Sequence, residues 1–471
     1  MILDPTQDAA LKHDVHGALA ATLQSKALDL ENQSNSIATM LLVSLVYQAV
    51  STAKLEYVLT VSFIGDILVL PLKCRNWDMY TELLEMLVML FQDEDTQLWI
   101  AQRGSIVDML KILEDAYERM DQATKVDIVD KNNDEIRDEI SKSLAKYIDE
   151  ICASLCSIVG TTEYRNEKMR DNHLTAHTLE KWIAEWDCDW KMHTSALLLG
   201  NMTQSDEMAV SFVNDFELNH AVTGAIKRTN DKQVLYACGV LLRNLVLPEK
   251  HALVRASAEA FIAARCLMLH DDHDKRLFIS GLRLLRQCIR DFGTCQLLIL
   301  KSPAESKLSL HTLTDFLDRY GEGDANLKVE LGRATVMMYK TLNRSKCPTV
   351  PNLLNILNKE QLLIDTMVEL VVLGTNTHLE GEGWFGLALA SRTEAGAKAV
   401  YKALKDQETV ERLIKRMQSE DYSNDEENTG KAKENAKVLA VTLVNVIPEE
   451  LEEDHLKWMK QAKEPVTRLD C

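Results

Sequence analysis

Apolar residues recur along this chain at steps of three and four. Val234, Cys238, Leu241 and Leu245 draw one apolar stripe down a helix, and strand-like alternation is absent. Eight prolines and eighteen glycines in 471 residues leave long stretches unbroken, so the pattern predicts an all-α chain. Four of the predicted helices resemble one another. Cys152 to Gly160 reads CASLCSIVG, Thr194 to Asn201 TSALLLGN, Cys238 to Asn244 CGVLLRN and Ser280 to Gln287 SGLRLLRQ. Each opens on a small residue, runs apolar and closes on a small or polar one. The closing positions, Gly160, Asn201, Asn244 and Gln287, are 41, 43 and 43 residues apart.

That period is the period of armadillo and HEAT units, in which helices stack because one pair cannot bury its apolar face alone. Gln48 and Gln92 extend the rhythm upstream; GLALAS (Gly386 to Ser391) and VLAVTLVN (Val438 to Asn445) extend it downstream. The expected fold is an all-α, armadillo-repeat, right-handed superhelical solenoid of about nine repeats. Two charged segments interrupt it. The expected layout is N-terminal repeats over 1–113, an acidic inserted loop over 114–140, central repeats over 141–418, an acidic loop over 419–430 and C-terminal capping helices over 431–471. In an armadillo unit the third helix lines the groove, so polar residues at the repeat period form a ladder. Gln48, Asn201, Asn244, Gln287 and Asn445 are candidates, since amides both donate and accept. The same positions also suit a polar residue closing a helix.

Composition narrows the partners. The hydrophobic share of 46% supports a large core, and a net charge of −19 repels phosphate backbones and anionic lipid. No contiguous basic run is long enough for nucleic acid, so a basic protein partner is expected. Ten cysteines without a CxxC pair suit a reducing compartment. Met1 to Leu11 carries no apolar core of a secretory signal, and the longest apolar stretch, Leu55 to Leu72, holds Glu56 and Asp66. The cytosol is the expected location, without stable membrane insertion. Cys471, as the last residue, makes no prenylation box.

Constellations for chemistry are wanting. Gly381, Gly383 and Gly386 match GxGxxG, yet Glu380 and Glu382 would repel pyrophosphate and no strand precedes them. No P-loop is present. His173 and His177, and His270 and His273 beside Asp271 and Asp272, lack further converging ligands. No catalytic residue, cofactor or metal is therefore expected. Trp182, Trp186 and Trp190 repeat at four-residue steps, which suits one helix carrying either a core staple or an aromatic anchor. Trp384 offers the same choice.

Leu242 to Lys250, LRNLVLPEK, resembles a signature of the small-GTPase GDP-dissociation stimulator family, and Glu382 to Met417 is similar to a later repeat of that family. The resemblance runs over about Ser141 to Met417. It implies a guanine-nucleotide exchange factor and chaperone for Rho- and Ras-type GTPases with polybasic, prenylated C-termini, acting without catalytic residues. It also implies a groove that holds the GTPase, an acidic surface for its tail and a prenyl pocket among the N-terminal repeats. The groove residues would be Asn201, Arg243, Asn244 and Gln287, with Trp384 and Ser391 further along. The alternative is a general scaffold or co-chaperone without exchange activity. An import adaptor would need Trp-x-x-x-Asn pairs on successive third helices, and those are missing.

Overall fold

A computed structural model describes residues 14–24, 33–51, 61–103, 106–125, 134–166, 170–185, 188–203, 205–248, 258–270, 274–300, 308–373, 377–404, 407–418 and 426–460. Among them there are only helices and connecting turns. In chain order the helices are α1 (Val15–Gln24), α2 (Gln33–Ser51), α3 (Val61–Lys73), α4 (Trp77–Gln92), α5 (Glu94–Arg103), α6 (Ile106–Lys125), α7 (Asp134–Gly160), α8 (Thr162–Asn166), α9 (Arg170–Ala184) and α10 (Asp189–Met202). There follow α11 (Asp206–Phe216), α12 (Leu218–Arg228), α13 (Lys232–Val246), α14 (Ala258–Met268), α15 (Lys275–Cys288), α16 (Phe292–Ile299), α17 (Leu310–Tyr320) and α18 (Ala325–Arg344). The last are α19 (Val350–Leu357), α20 (Gln361–Val372), α21 (Thr377–Ala390), α22 (Glu394–Leu404), α23 (Gln407–Gln418), α24 (Glu426–Val446) and α25 (Glu453–Met459).

The helices pack as two units, one of Met1–Glu185 with Trp190–Ser205, the other of Trp186–Asp189 with Asp206–Cys471. In the first unit, α1, α3 and α6 stack as one row and α2, α4 and α7 as a second row. In the second unit the row runs α13, α15, α18, α21, α24, backed by α12, α14, α20 and α22. Both patterns follow from the apolar period. Each helix buries its stripe between two neighbours, as Leu241, Leu245, Leu284, Leu285, Leu331 and Leu387 do, all inaccessible. The first three helices of the second unit's row begin in the same way. Asp231 accepts from the Gln233 and Val234 amides, Asp274 from the Arg276 and Leu277 amides, and Asp324 from the Leu327 amide. Such caps stabilise a helix start by about 1 kcal/mol each.

The helix ends fall where the period places them. Gly160 closes α7, Asn201 and Asn244 lie in the last turns of α10 and α13, and Gln287 lies in that of α15. The acidic loop expected over 114–140 is corrected. Glu114 to Lys125 completes α6, and 134–140 opens α7. The charges there lie on a helix that also packs: Ala116 is inaccessible, Arg119 donates to Asp115 at 2.9 Å and to the Cys74 carbonyl at 2.8 Å, and Lys191 pairs with Glu114 at 2.6 Å. Residues 126–133 lie outside the described residues. So do 419–425 of the second expected loop, while Glu426 to Gly430 is helical.

The tryptophan stripe is corrected as well. Trp182 belongs to α9 and Trp190 to α10; they meet edge to face at 5.5 Å, and Trp190 stacks on Tyr117 at 3.9 Å. Trp182 and Trp190 are a staple among helices of the first unit, and Trp186 lies outside the described residues. Gly381, Gly383 and Gly386 sit inside α21, buried. A methyl on Gly383 would lie 2.9 Å from the Met367 carbonyl oxygen of α20, and one on Gly386 2.5 Å from Val336 of α18. These glycines serve close helix packing. No helix among the described residues is long and apolar enough to cross a membrane.

Candidate functional site

The row α13, α15, α18, α21 turns a charged face to solvent. On α15, Arg283 and Arg286 are one turn apart on the side away from the Leu284 and Leu285 core. Leu-Leu-Arg-Asn in α13 and Leu-Leu-Arg-Gln in α15 place Arg243 and Arg286 at equivalent positions. From α15 on, each helix reaches the next through an ion pair. Arg283 Nε donates to Glu330 Oε1 at 2.9 Å, Arg286 Nη1 lies 3.5 Å from Glu330 Oε2, and Arg333 Nε donates to Glu382 at 2.9 Å. Lys340, two turns beyond Arg333, lies over the Phe385 ring at 5.8 Å. Among the described residues, the four arginines Arg243, Arg283, Arg286 and Arg333 of this face stand beside two carboxylates, Glu330 and Glu382, on a chain of net charge −19.

The degree of burial decides how strongly these charges act. Glu330 is 8% exposed and Arg286 12%, whereas Arg283 is 35% exposed. Burial lowers the Arg286 pKa, and Glu330 opposes that effect. Burial also lowers the Arg243 pKa, and the neighbouring Arg283 lowers it further. Arg243 Nη2 donates to Asn244 Oδ1 at 3.3 Å, but its Nε is buried without a hydrogen-bond partner. An unanswered buried donor costs about 1–3 kcal/mol.

The sequence-derived site residues divide accordingly. Arg243 and Asn244 are half-buried on this face. Gln287 is 6% exposed, turned into the helix stack with its Oε1 buried and unpartnered, so it does not present an amide to a groove. Trp384 and Ser391 are corrected: both are fully buried. Trp384 Nε1 donates to Glu380 at 3.1 Å and Ser391 Oγ, just past the end of α21, donates to the Leu387 carbonyl at 2.8 Å; α18, α20 and α24 pack against α21 and cover its side chains. Asn201 belongs to the first unit, beside the Cys156 thiol, and its Nδ2 donates to the Leu197 carbonyl of its own helix at 3.0 Å. Gln48 is half-buried, and Asn445 is exposed. The ladder of amides is thus largely a set of helix-end residues. The arginines beside it escape a search for contiguous basic runs; their signal is the spacing Arg276, Arg283, Arg286, Arg290 along one helix face.

Among the described residues no group of three or more His, Cys, Asp or Glu side chains could hold a metal ion. His177 is exposed beside Glu180, and His273 lies outside the described residues.

No family model and no curated protein matches the chain. A solved structure from work on a phosphorylation switch controlling the interaction between cadherin and beta-catenin does match, with a TM-score of 0.52 at 13% identity, covering 94% of this chain and 85% of that one. The fold is an armadillo-type helical solenoid. A chain from the SYS-1/POP-1 complex is similar with a TM-score of 0.46 at 9% identity, over 96% of this chain and 80% of that one. Uso1-2 is similar with 0.45 at 12%, over 97% and 72%. At these identities the likeness concerns the fold. On an armadillo-type solenoid, α13, α15, α18 and α21 form a row of consecutive helices with one solvent-facing side.

Proposed function

We propose that this armadillo-type solenoid is a protein-binding scaffold whose partners are small GTPases of Rho or Ras type with polybasic, prenylated C-terminal tails. On this reading it stimulates their GDP release or escorts them, without catalytic residues of its own. The observation that carries the reading is the division of charge. Cations outnumber carboxylates on the α13–α21 face, while the chain as a whole is strongly acidic. A basic tail is then drawn to the acidic remainder, and the folded body of the partner to the half-open face. The first unit offers one such acidic position on its second row, where Glu85 accepts from Tyr47 at 3.0 Å beside Tyr147.

Exchange by this route needs only tighter binding of the open, nucleotide-free GTPase than of the GDP-bound one. A hundredfold preference corresponds to about 2.7 kcal/mol. The test is release of a fluorescent GDP analogue from a polybasic GTPase, at low and high salt, with and without the protein. Acceleration that fades with salt and is reduced by Asn244→Asp supports the proposal. No acceleration and no complex with any polybasic GTPase removes it. A scaffold without exchange activity is the second reading, favoured by the burial of Trp384 and Ser391, which subtracts two of the expected groove contacts. It is separated by the same assay, as stable complex formation at an unchanged release rate.

A further inference from the structure

Arg243, Arg283 and Arg333 stand on three consecutive helices of one face, and each is held from one side only. Arg283 and Arg333 turn Nε inward to Glu330 and Glu382. The terminal nitrogens of both guanidinium groups then make no hydrogen bond among the described residues. Arg243 has no carboxylate hydrogen-bonded to it: Nη2 meets the Asn244 amide, Nε is buried without a partner, and Arg283 is a neighbouring charge. Cations gathered in this way call for an anion, and a forked guanidinium matches a carboxylate through two parallel N–H···O bonds.

We propose that this face binds an extended acidic segment of a partner protein, with carboxylates at three-residue spacing seated on Arg243, Arg283 and Arg333. The inference rests on the reading of the chain as a protein-binding solenoid and names the chemistry that one face of it accepts. The spacing is geometric. Packed helices lie roughly 8–10 Å apart, and an extended chain advances about 3.3–3.6 Å per residue, so a strand crossing the row meets a new helix about every three residues. A peptide is favoured over a nucleic acid because the net charge of −19 opposes a polyphosphate at long range, whereas a few spaced carboxylates meet mainly the local excess of arginine.

The experiment uses the full chain and fluorescein-labelled probes read by fluorescence anisotropy. One short peptide carries glutamates at every third position, a second has the same glutamates contiguous, a third has lysines in place of the spaced glutamates, and the fourth probe is an oligothymidylate. The spaced-glutamate peptide binds more tightly than the contiguous one and loses affinity with Arg243→Gln, whereas any binding of the lysine peptide to the acidic remainder of the chain is unmoved by Arg243→Gln; salt weakens the complex. Arg243→Gln and Arg283→Gln each reduce affinity by about tenfold or more. Arg243→Gln breaks no internal ion pair, so it carries the test if Arg283→Gln loosens the fold. Spaced-glutamate binding indifferent to Arg243→Gln, a lysine peptide weakened by Arg243→Gln as much as the glutamate one, or oligothymidylate bound as tightly as the spaced peptide overturns the proposal. Peptide binding without any effect on GTPases overturns the GTPase reading alone. GDP release without peptide binding overturns this inference alone.

Discussion

Replacing Glu330 by glutamine removes the one charge that the arginines of α15 share. Glu330 is almost inaccessible; it accepts from Arg283 at 2.9 Å and lies 3.5 Å from Arg286, which is itself largely buried. Removing one partner of a fully buried pair costs about 3–5 kcal/mol. Arg283 is a third exposed and can be rehydrated, so its share is screened and small. The cost then comes chiefly from Arg286, and about 2–3 kcal/mol is expected. Stability in a repeat protein is local, so a whole-chain melt would dilute the effect. Hydrogen exchange read by mass spectrometry resolves it. Protection should fall about 30- to 150-fold in α15 and α18, at 1.4 kcal/mol per tenfold, with α4 and α7 unchanged. Adding Arg286→Gln to Glu330→Gln should restore part of the loss, because the stranded charge is gone. Unchanged protection in the single variant, or no recovery in the double, would refute the view that Glu330 holds the arginine face together.

Two further expectations concern packing and titration. Gly332→Ala places a methyl 2.5 Å from the Thr366 backbone oxygen, which cannot swing aside, and should cost about 2 kcal/mol. Gly65→Ala meets nothing within 4 Å in the middle of α3 and should add about 0.5–1 kcal/mol; thermal melting of both variants reads the contrast. Burial pushes the Cys238 and Cys295 thiols up to about 12. Because the folded state holds these protons more tightly than the unfolded chain, their contribution is complete below about pH 8.5 and is lost as pH rises from there towards 12. The slope is about 1.4 kcal/mol per pH unit for each thiol. Urea midpoints at pH 8 and about 9.5 should differ in that sense, and less so in a Cys238→Ala, Cys295→Ala variant. An equal decline in that variant would show that other groups set the slope.

The repeat was legible because it is written in spacing. Small residue, apolar run and polar close recur at Gly160, Asn201, Asn244 and Gln287, and helices end within two residues of each. What the polar positions do was less legible. An amide near the end of a helix can face a partner or cap its own last turn, and Asn201 does the latter. Trp384 and Ser391 look like surface anchors only until neighbouring helices close over α21. Glu114 to Lys125 reads as a loop on charge alone, yet Arg119 and Lys191 find carboxylates there and Ala116 finds the core. The arginine face was hidden for the opposite reason. Its members lie scattered over 90 residues of sequence, from Arg243 to Arg333, and only helix stacking makes them neighbours.

Gly281, Gly332 and Gly383 each bring a helix of the second unit's row against a backbone oxygen of its backing helix, that of Ala264, Thr366 and Met367 respectively. A chain built in this way is constrained at a few points where even one carbon is too many, and is permissive almost everywhere else, since one aliphatic can stand for another of similar bulk. The course of such a backbone is set by absences of side chain at these contacts more than by which aliphatics surround them.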